Sequence, residues 1–125
     1  MTLVTEVPLR GAGGEPVDFA RTIVSHGVAE LPPNRVDLAA RKLQTTLPVA
    51  RGARTVVITE RKGKLRIDGS DDPKLKQTVA HMFRLDEDLS GFYELVRDDD
   101  LSWCALGAGR MLRAPTVFED VVKTI

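Results

Sequence analysis

Three consecutive segments of β-forming sequence lie in the middle of the chain, and they constrain the fold more than any other feature. We predict strands at about residues 41–49, 54–60 and 64–68, of which the second is the richest in β-branched residues. Arg61-Lys62-Gly63-Lys64, between the last two segments, has the composition of a hairpin turn. Strands joined by short turns pair in antiparallel fashion, so the sequence predicts a small antiparallel sheet.

The segments on either side complete the predicted fold. Residues 3–9 suggest a short strand, and Pro8 places it at a sheet edge because proline cannot donate to the ladder. Helical patterns begin at Pro16, Asp72, Asp86 and Pro115. We expect the first three helices to bury their apolar positions, which are Phe19, Ile23, Val24, Leu75, Val79, Met82, Phe83, Leu89, Phe92, Tyr93 and Val96. Strands and helices do not alternate strictly, which argues against a doubly wound parallel sheet. We predict an α+β fold, a small twisted antiparallel sheet flanked by helices.

No CxxC pair or HExxH motif is present in the sequence, and we expect no bound metal or cofactor. Cys104 is the single cysteine, which rules out an internal disulfide and is typical of a reducing compartment. No apolar run approaches the roughly 18 residues of a membrane span, and a secretory signal pattern is absent, so we expect a cytoplasmic protein with no membrane partner. Asp98-Asp99-Asp100 lacks the ligand pattern of a calcium loop and fits the acidic start of a helix that carries two core residues, Trp103 and Cys104.

Positive charge is concentrated in the strand region. Residues 41–66 contain one acidic residue, Glu60, and eight basic residues, Arg41, Lys42, Arg51, Arg54, Arg61, Lys62, Lys64 and Arg66. Such a cluster attracts phosphates, and the candidate DNA-phosphate contacts are Arg61, Lys62, Lys64 and Arg66. The same residues also fit a solvated outer sheet face whose charges protect the edges, and no aromatic residue is interleaved for base stacking. The sequence leaves both interpretations open.

Residues 107–125 form a second candidate interaction element. A small-residue turn and a short basic link precede Pro115, which suits the first position of a helix. The apolar stripe of this helix consists of Val117, Phe118, Val121, Val122 and Ile125. No helix-closing residue follows, so we expect a helix whose continuation is missing. Its stripe would fold back on the chain, dock a partner or form a homodimer through residues 115–125.

Two short motifs follow each other in the second half of the chain. The first is Arg84-Leu85-Asp86 with Leu89 and Phe92-Tyr93, and the second is Gly109-Arg110-Met111-Leu112-Arg113 with Pro115 and Phe118-Glu119. In order and spacing they resemble the helix-hairpin-helix DNA glycosylases, in the 3-methyladenine and 8-oxoguanine branch. In that family the second motif begins the all-helical catalytic domain. His26-Gly27 and Leu31-Pro32-Pro33 are also similar to the family's N-terminal domain.

The resemblance implies the N-terminal portion of a base-excision-repair enzyme, which hydrolyses the N-glycosidic bond of a damaged base after flipping the nucleotide out of the duplex. Residues 1–84 would be an α+β domain that resembles half of a TATA-box-binding protein, and residues 85–125 would begin the helical domain. The implied partners are damaged double-stranded DNA and the missing catalytic domain. The family's catalytic aspartate lies downstream of the matching region, so this chain would be inactive alone and contain no catalytic residue.

The resemblance leaves two questions open. The resemblance implies that Gly27 could offer a backbone contact in the base pocket, whereas the residues alone favour a helix cap. Val28 and Asn34 stand where many relatives have aromatic residues, which leaves the substrate in doubt. Without the resemblance, the same residues fit a standalone, non-enzymatic α+β module that binds nucleic acid through the basic region or a protein through the terminal stripe.

Overall fold

A five-stranded antiparallel sheet forms the centre of the protein, in a computed structural model that describes residues 3–25 and 31–124. The strands are β1 (Val4–Pro8), β2 (Arg35–Asp37), β3 (Lys42–Val49), β4 (Gly52–Arg61) and β5 (Lys64–Asp68), in the spatial order β1-β5-β4-β3-β2. The helices are α1 (Phe19–Ile23), α2 (Lys74–Met82), α3 (Ser90–Val96) and α4 (Val117–Thr124), with a 3₁₀ helix (Ser102–Leu106) between α3 and α4. The predicted α+β class is confirmed.

The strand pairing follows the sequence pattern closely. The three central segments form β3, β4 and β5, and β1 lies at one edge of the sheet, as Pro8 indicated. The β4–β5 turn is a two-residue hairpin turn, because Arg61 pairs with Lys64 while Lys62 and Gly63 have φ angles of 51° and 76°. Positive φ at both central residues gives the twist that a tight hairpin needs. β2 escaped prediction because three residues carry too little pattern.

One face of the sheet carries the hydrophobic core. The buried apolar strand residues alternate along the sequence and pack with side chains of α1 and α2; they are Val7, Leu43, Leu47, Val56, Ile58, Leu65 and Ile67. Phe19 of α1 stacks on Phe83, which directly follows α2, with ring centroids 5.7 Å apart. Leu85 and Leu112 belong to the same core, so the segment after α2 is packed onto the sheet layer.

The opposite face, which we call the outer face, presents polar and charged side chains. Along β1, β3, β4 and β5 it contains Glu6, Lys42, Gln44, Thr46, Thr55, Val57, Thr59, Arg61, Lys64, Arg66 and Asp68, and none of these is buried. The hydroxyls of Thr46 and Thr55, which pair in the register, lie 3.1 Å apart. The outer face is therefore available for contacts with other molecules.

Helices α1 to α4 begin at Phe19, Lys74, Ser90 and Val117, each later than the predicted start, and the shift is largest at α1 and α3. α1 begins at Phe19 instead of Pro16, because the Asp18 carboxylate accepts the backbone N–H of Arg21 at 3.0 Å and caps the helix there. α3 begins at Ser90 instead of Asp86, and the Asp88 carboxylate accepts the backbone N–H of Ser90 at 2.8 Å at this start.

Three apolar residues that were expected in the core are exposed. Trp103 is 50% exposed because its segment is a 3₁₀ helix, and its ring lies 5.0 Å from the Arg21 guanidinium at the surface. Phe92, in α3, is 43% exposed, and Val24, which directly follows the end of α1 at Ile23, is 40% exposed. Cys104 is buried as predicted and packs with Val96 in a small second cluster.

Candidate functional site

The two motifs that carry the resemblance are in direct contact, and Arg110 makes the central connection. Its guanidinium is fully buried and forms an ion pair with the Glu15 carboxylate, with the two atoms 2.7 Å apart. The same guanidinium donates to the backbone carbonyl of Glu87 at 3.1 Å and to that of Arg84. One side chain of the second motif thus binds both the turn of the first motif and a loop near the N-terminus.

Arginines at both motifs reinforce this connection. Arg113 of the second motif contacts the Glu87 carboxylate at 2.5 Å, and its backbone N–H donates to the Met82 carbonyl at 2.7 Å. In the reverse direction, Arg84 of the first motif donates to the Met111 carbonyl at 2.7 Å. We call the group Glu15, Arg84, Glu87, Arg110 and Arg113 the motif lock. It fixes the direction in which the chain leaves toward α4.

Two glycines permit close packing in this region, Gly11 against the motif lock and Gly107 against the backbone just before α1. A Cβ atom on Gly11 would lie 2.1 Å from the Arg110 guanidinium and 2.2 Å from the Glu15 carboxyl group. Gly107 has a φ of 109°, and a Cβ atom there would lie 2.4 Å from the backbone nitrogen of Asp18. The small-residue turn before the second motif is therefore a requirement of close packing.

The Glu15 carboxylate is held in its charged form. Burial alone would raise the pKa of Glu15, but backbone N–H groups, including those of Leu89 and Gly13, donate to the carboxylate and the Arg110 guanidinium neutralises it. The combined result is a pKa below the ordinary value of 4.5. A carboxylate with this many donors is a structural anchor that is poorly suited to accept a proton.

The lowered pKa of Glu15 gives a pH-dependent contribution to stability. Because the folded-state pKa lies below 4.5, the contribution is fully present above that value and is lost as the pH falls through the lowered pKa. We expect the stability difference between the wild type and Glu15→Gln to shrink on acidification below about pH 4.5. Urea unfolding of both proteins across an acidic pH series measures this difference. A difference that stays constant from neutral to acidic pH would contradict the assignment.

The predicted phosphate contacts lie together at the β4–β5 turn. Arg61, Lys62, Lys64 and Arg66, with Glu6 from β1, line a pocket of about 250 Å³. Lys64 lies 3.8 Å from the Glu6 carboxylate, and Arg66 lies 3.1 Å from the Asp68 carboxylate. The structure thus brings all four basic candidates to one site, which we call the basic hairpin.

The terminal helix exposes the described part of its apolar stripe. Phe118 is 77% exposed, and Val121 and Val122 are about half exposed. The Thr116 hydroxyl accepts the Glu119 N–H at 3.2 Å and caps α4. A cavity of about 520 Å³ separates α4 from the outer face, and Pro32, Pro33, Thr46, Thr116, Phe118, Glu119 and Val122 line it. Phe118, Val121 and Val122, the described residues of the stripe, are therefore exposed rather than buried in the core.

Several other candidates receive no structural support. Gly27, the candidate wall of a base pocket, lies outside the described residues. Among residues 3–25 and 31–124, no group of three or more His, Cys, Asp or Glu side chains is arranged to hold a metal ion. Within the same ranges, no helix is long and apolar enough to span a membrane.

The Glu15–Arg110 pair was not predicted, because nothing local in the sequence links two residues so far apart.

Comparisons with known proteins supply no independent assignment. Neither a family model nor a curated protein matches the sequence, and no solved structure matches the fold. The function must therefore be argued from the motif lock, the basic hairpin and the exposed apolar surface.

Proposed function

We propose that this chain is the N-terminal portion of a base-excision-repair DNA glycosylase of the helix-hairpin-helix superfamily. The observation that carries the proposal is the motif lock. Arg84 and Arg110, which come from the two resembling motifs, each contact the backbone of the other motif. These residues match a family pattern, and in the structure each motif also contacts the other. This combination supports a common origin with the family better than separate short motifs would. In this proposal the sheet and its helices are the TATA-box-binding-protein-like N-terminal domain.

The distribution of exposed apolar side chains also supports the proposal. The part of the chain that resembles the start of the helical domain exposes Phe92, Leu95, Leu101, Trp103, Leu106, Met111, Phe118, Val121 and Val122. Extended apolar surface of this kind marks an interface. The catalytic helical domain of the parent enzyme is the partner that the proposal assigns to it, in preference to a homodimer through α4.

In this proposal the chemistry of base excision assigns different roles to this chain and to the helical domain. Cleavage of the N-glycosidic bond develops positive charge on the sugar, which a carboxylate of the helical domain would stabilise. This chain would contribute to DNA binding and to one wall of the damaged-base pocket, where Gly27 is the proposed contact. Such an enzyme acts on DNA, so the proposal places it in the cytoplasm, and at the nucleoid in a bacterial source.

An excision assay tests this function. The native protein, captured from its source cells with an antibody against this chain, is incubated with duplexes that contain alkylated bases or 8-oxoguanine, and base release is measured. We expect release by the native protein and none by the purified 125-residue chain on its own. An undamaged duplex is the control. Native protein that releases no damaged base would reject the proposal.

A standalone nucleic-acid-binding module is the second candidate, and the basic hairpin favours it. Four cationic side chains line one pocket, and attraction of phosphates by such a cluster requires no catalytic group. This candidate also predicts DNA binding, but it predicts no base release from any native form of the protein.

A further inference from the structure

Two like charges face each other across the β4–β5 hairpin. Arg61 is directly opposite Lys64 in the strand register, so both side chains leave the sheet on the same face. Like charges that are directly opposite destabilise an antiparallel pair. Arg66 follows two residues later on the same face, and Lys62 lies in the turn itself. An anion in the pocket between these side chains would relieve their repulsion.

The protein's own carboxylates neutralise only part of this charge. Glu6 and Asp68 pair with Lys64 and Arg66, respectively. Within residues 3–25 and 31–124, Arg61 and Lys62 form no ion pair with an acidic side chain. The pocket lining contains four cations and one carboxylate, so it retains a net positive charge.

We propose that the basic hairpin binds phosphates of a nucleic-acid duplex backbone, independently of base sequence. The inference deepens the proposed function and takes its duplex substrate from it. No aromatic side chain lines the pocket, so it offers no stacking platform for single-stranded bases. The tight turn fixes the backbone positions of Arg61 and Lys64 before the ligand arrives, which reduces the part of the entropy cost of binding that comes from ordering the backbone.

An acidic protein fits this pocket less well than a duplex does. Protein interfaces are built around a desolvated apolar or aromatic centre. The residues that line the pocket are all charged, and its volume of about 250 Å³ accommodates a phosphate group. Backbone phosphates require only such positively charged contacts, with no apolar anchor.

Fluorescence anisotropy with a labelled, undamaged duplex tests the proposal, using NaCl concentrations between about 50 and 200 mM. Arg61 and Lys62 are the two pocket cations without an acidic partner in the described ranges, and for two neutralised phosphates the logarithm of the binding constant should fall with the logarithm of salt with a slope of about −2. We expect Arg61→Gln and Lys62→Gln each to reduce the slope by about 1 and to weaken binding to all sequences alike. Lys76→Gln, on the exposed surface of α2, removes the same charge and should leave the slope unchanged.

The remaining outcomes separate the possible explanations. Circular dichroism first establishes that each variant is folded. Equal slopes for the wild type and both hairpin variants would overturn the inference, as would displacement of the duplex by polyglutamate as effectively as by unlabelled duplex. Competition with inorganic phosphate at constant ionic strength is a further test. If inorganic phosphate abolishes binding and the duplex binds no more tightly than inorganic phosphate does, the inference is also overturned. If the native protein releases a damaged base but the hairpin variants leave the salt slope unchanged, only this inference fails. If binding depends on salt as expected but no base is released, only the proposed glycosylase activity fails.

Discussion

Replacing Arg110 by methionine is expected to lower the free energy of unfolding by about 3–5 kcal/mol. The Arg110 side chain is fully buried and the Glu15 side chain is 3% exposed, so the substitution leaves a carboxylate buried without its cation. The backbone carbonyls of Arg84 and Glu87 lose a donor as well. Urea unfolding monitored by circular dichroism measures the loss.

A double-mutant cycle separates the ion pair from simple loss of packing. Leu89 N–H donates to Oε2 of Glu15 and Gly13 N–H to Oε1, so Glu15→Gln removes the charge and keeps an acceptor for one of the two N–H groups. The double variant no longer buries an unpaired charge, so it should be more stable than Arg110→Met alone. Arg97→Met is the matched control, because Arg97 pairs with Glu94 at 3.0 Å but is well exposed. We expect it to cost no more than about 1 kcal/mol. Equal losses for Arg97→Met and Arg110→Met would contradict the buried lock.

Truncating Phe83 to alanine is expected to destabilise the protein by about 3–5 kcal/mol. The ring is completely buried and stacks on Phe19, which itself is 1% exposed. Removing it leaves a cavity between α1, α2 and the sheet and takes away a partner of the Phe19 ring. The same urea unfolding experiment measures the effect.

Phe92→Ala provides the comparison for Phe83→Ala. Phe92 is 43% exposed, and its ring contacts that of Tyr93 at a centroid distance of 5.9 Å. We expect a loss of less than about 1 kcal/mol, since the side chain keeps much of its contact with water in the folded state. Similar losses at both phenylalanines would mean that the Phe19–Phe83 stack is not the centre of the core.

The sheet was predictable from the sequence because its information is local. The β-branched run in β4, the alternation in β5 and the turn at Lys62-Gly63 each depend on neighbouring residues. The same holds for Leu75, Val79, Met82 and Phe83, whose helical spacing gave the buried side of α2 correctly. β2 has only three residues and pairs through its backbone, so composition could not reveal it.

The motif lock was not predictable in the same way. The sequence identified Arg84 and Arg110 through their motifs, yet Glu15 became relevant only when folding brought it 2.7 Å from Arg110. Trp103 was assigned to the core on hydrophobicity alone, and a surface contact with Arg21 takes the place of burial. Long-range electrostatics and the choice between α and 3₁₀ geometry depend on the tertiary structure, which local patterns do not contain.

The mass of the native protein is the most direct test of the central claim that this chain belongs to a larger glycosylase. An antibody against the 125-residue chain is used on an extract of the source cells, and the detected band is identified by mass spectrometry. The account predicts a species of more than twice 13.7 kDa that contains this sequence at its N-terminal end. A native product of 13.7 kDa would contradict it and leave the duplex-binding module as the function to be tested.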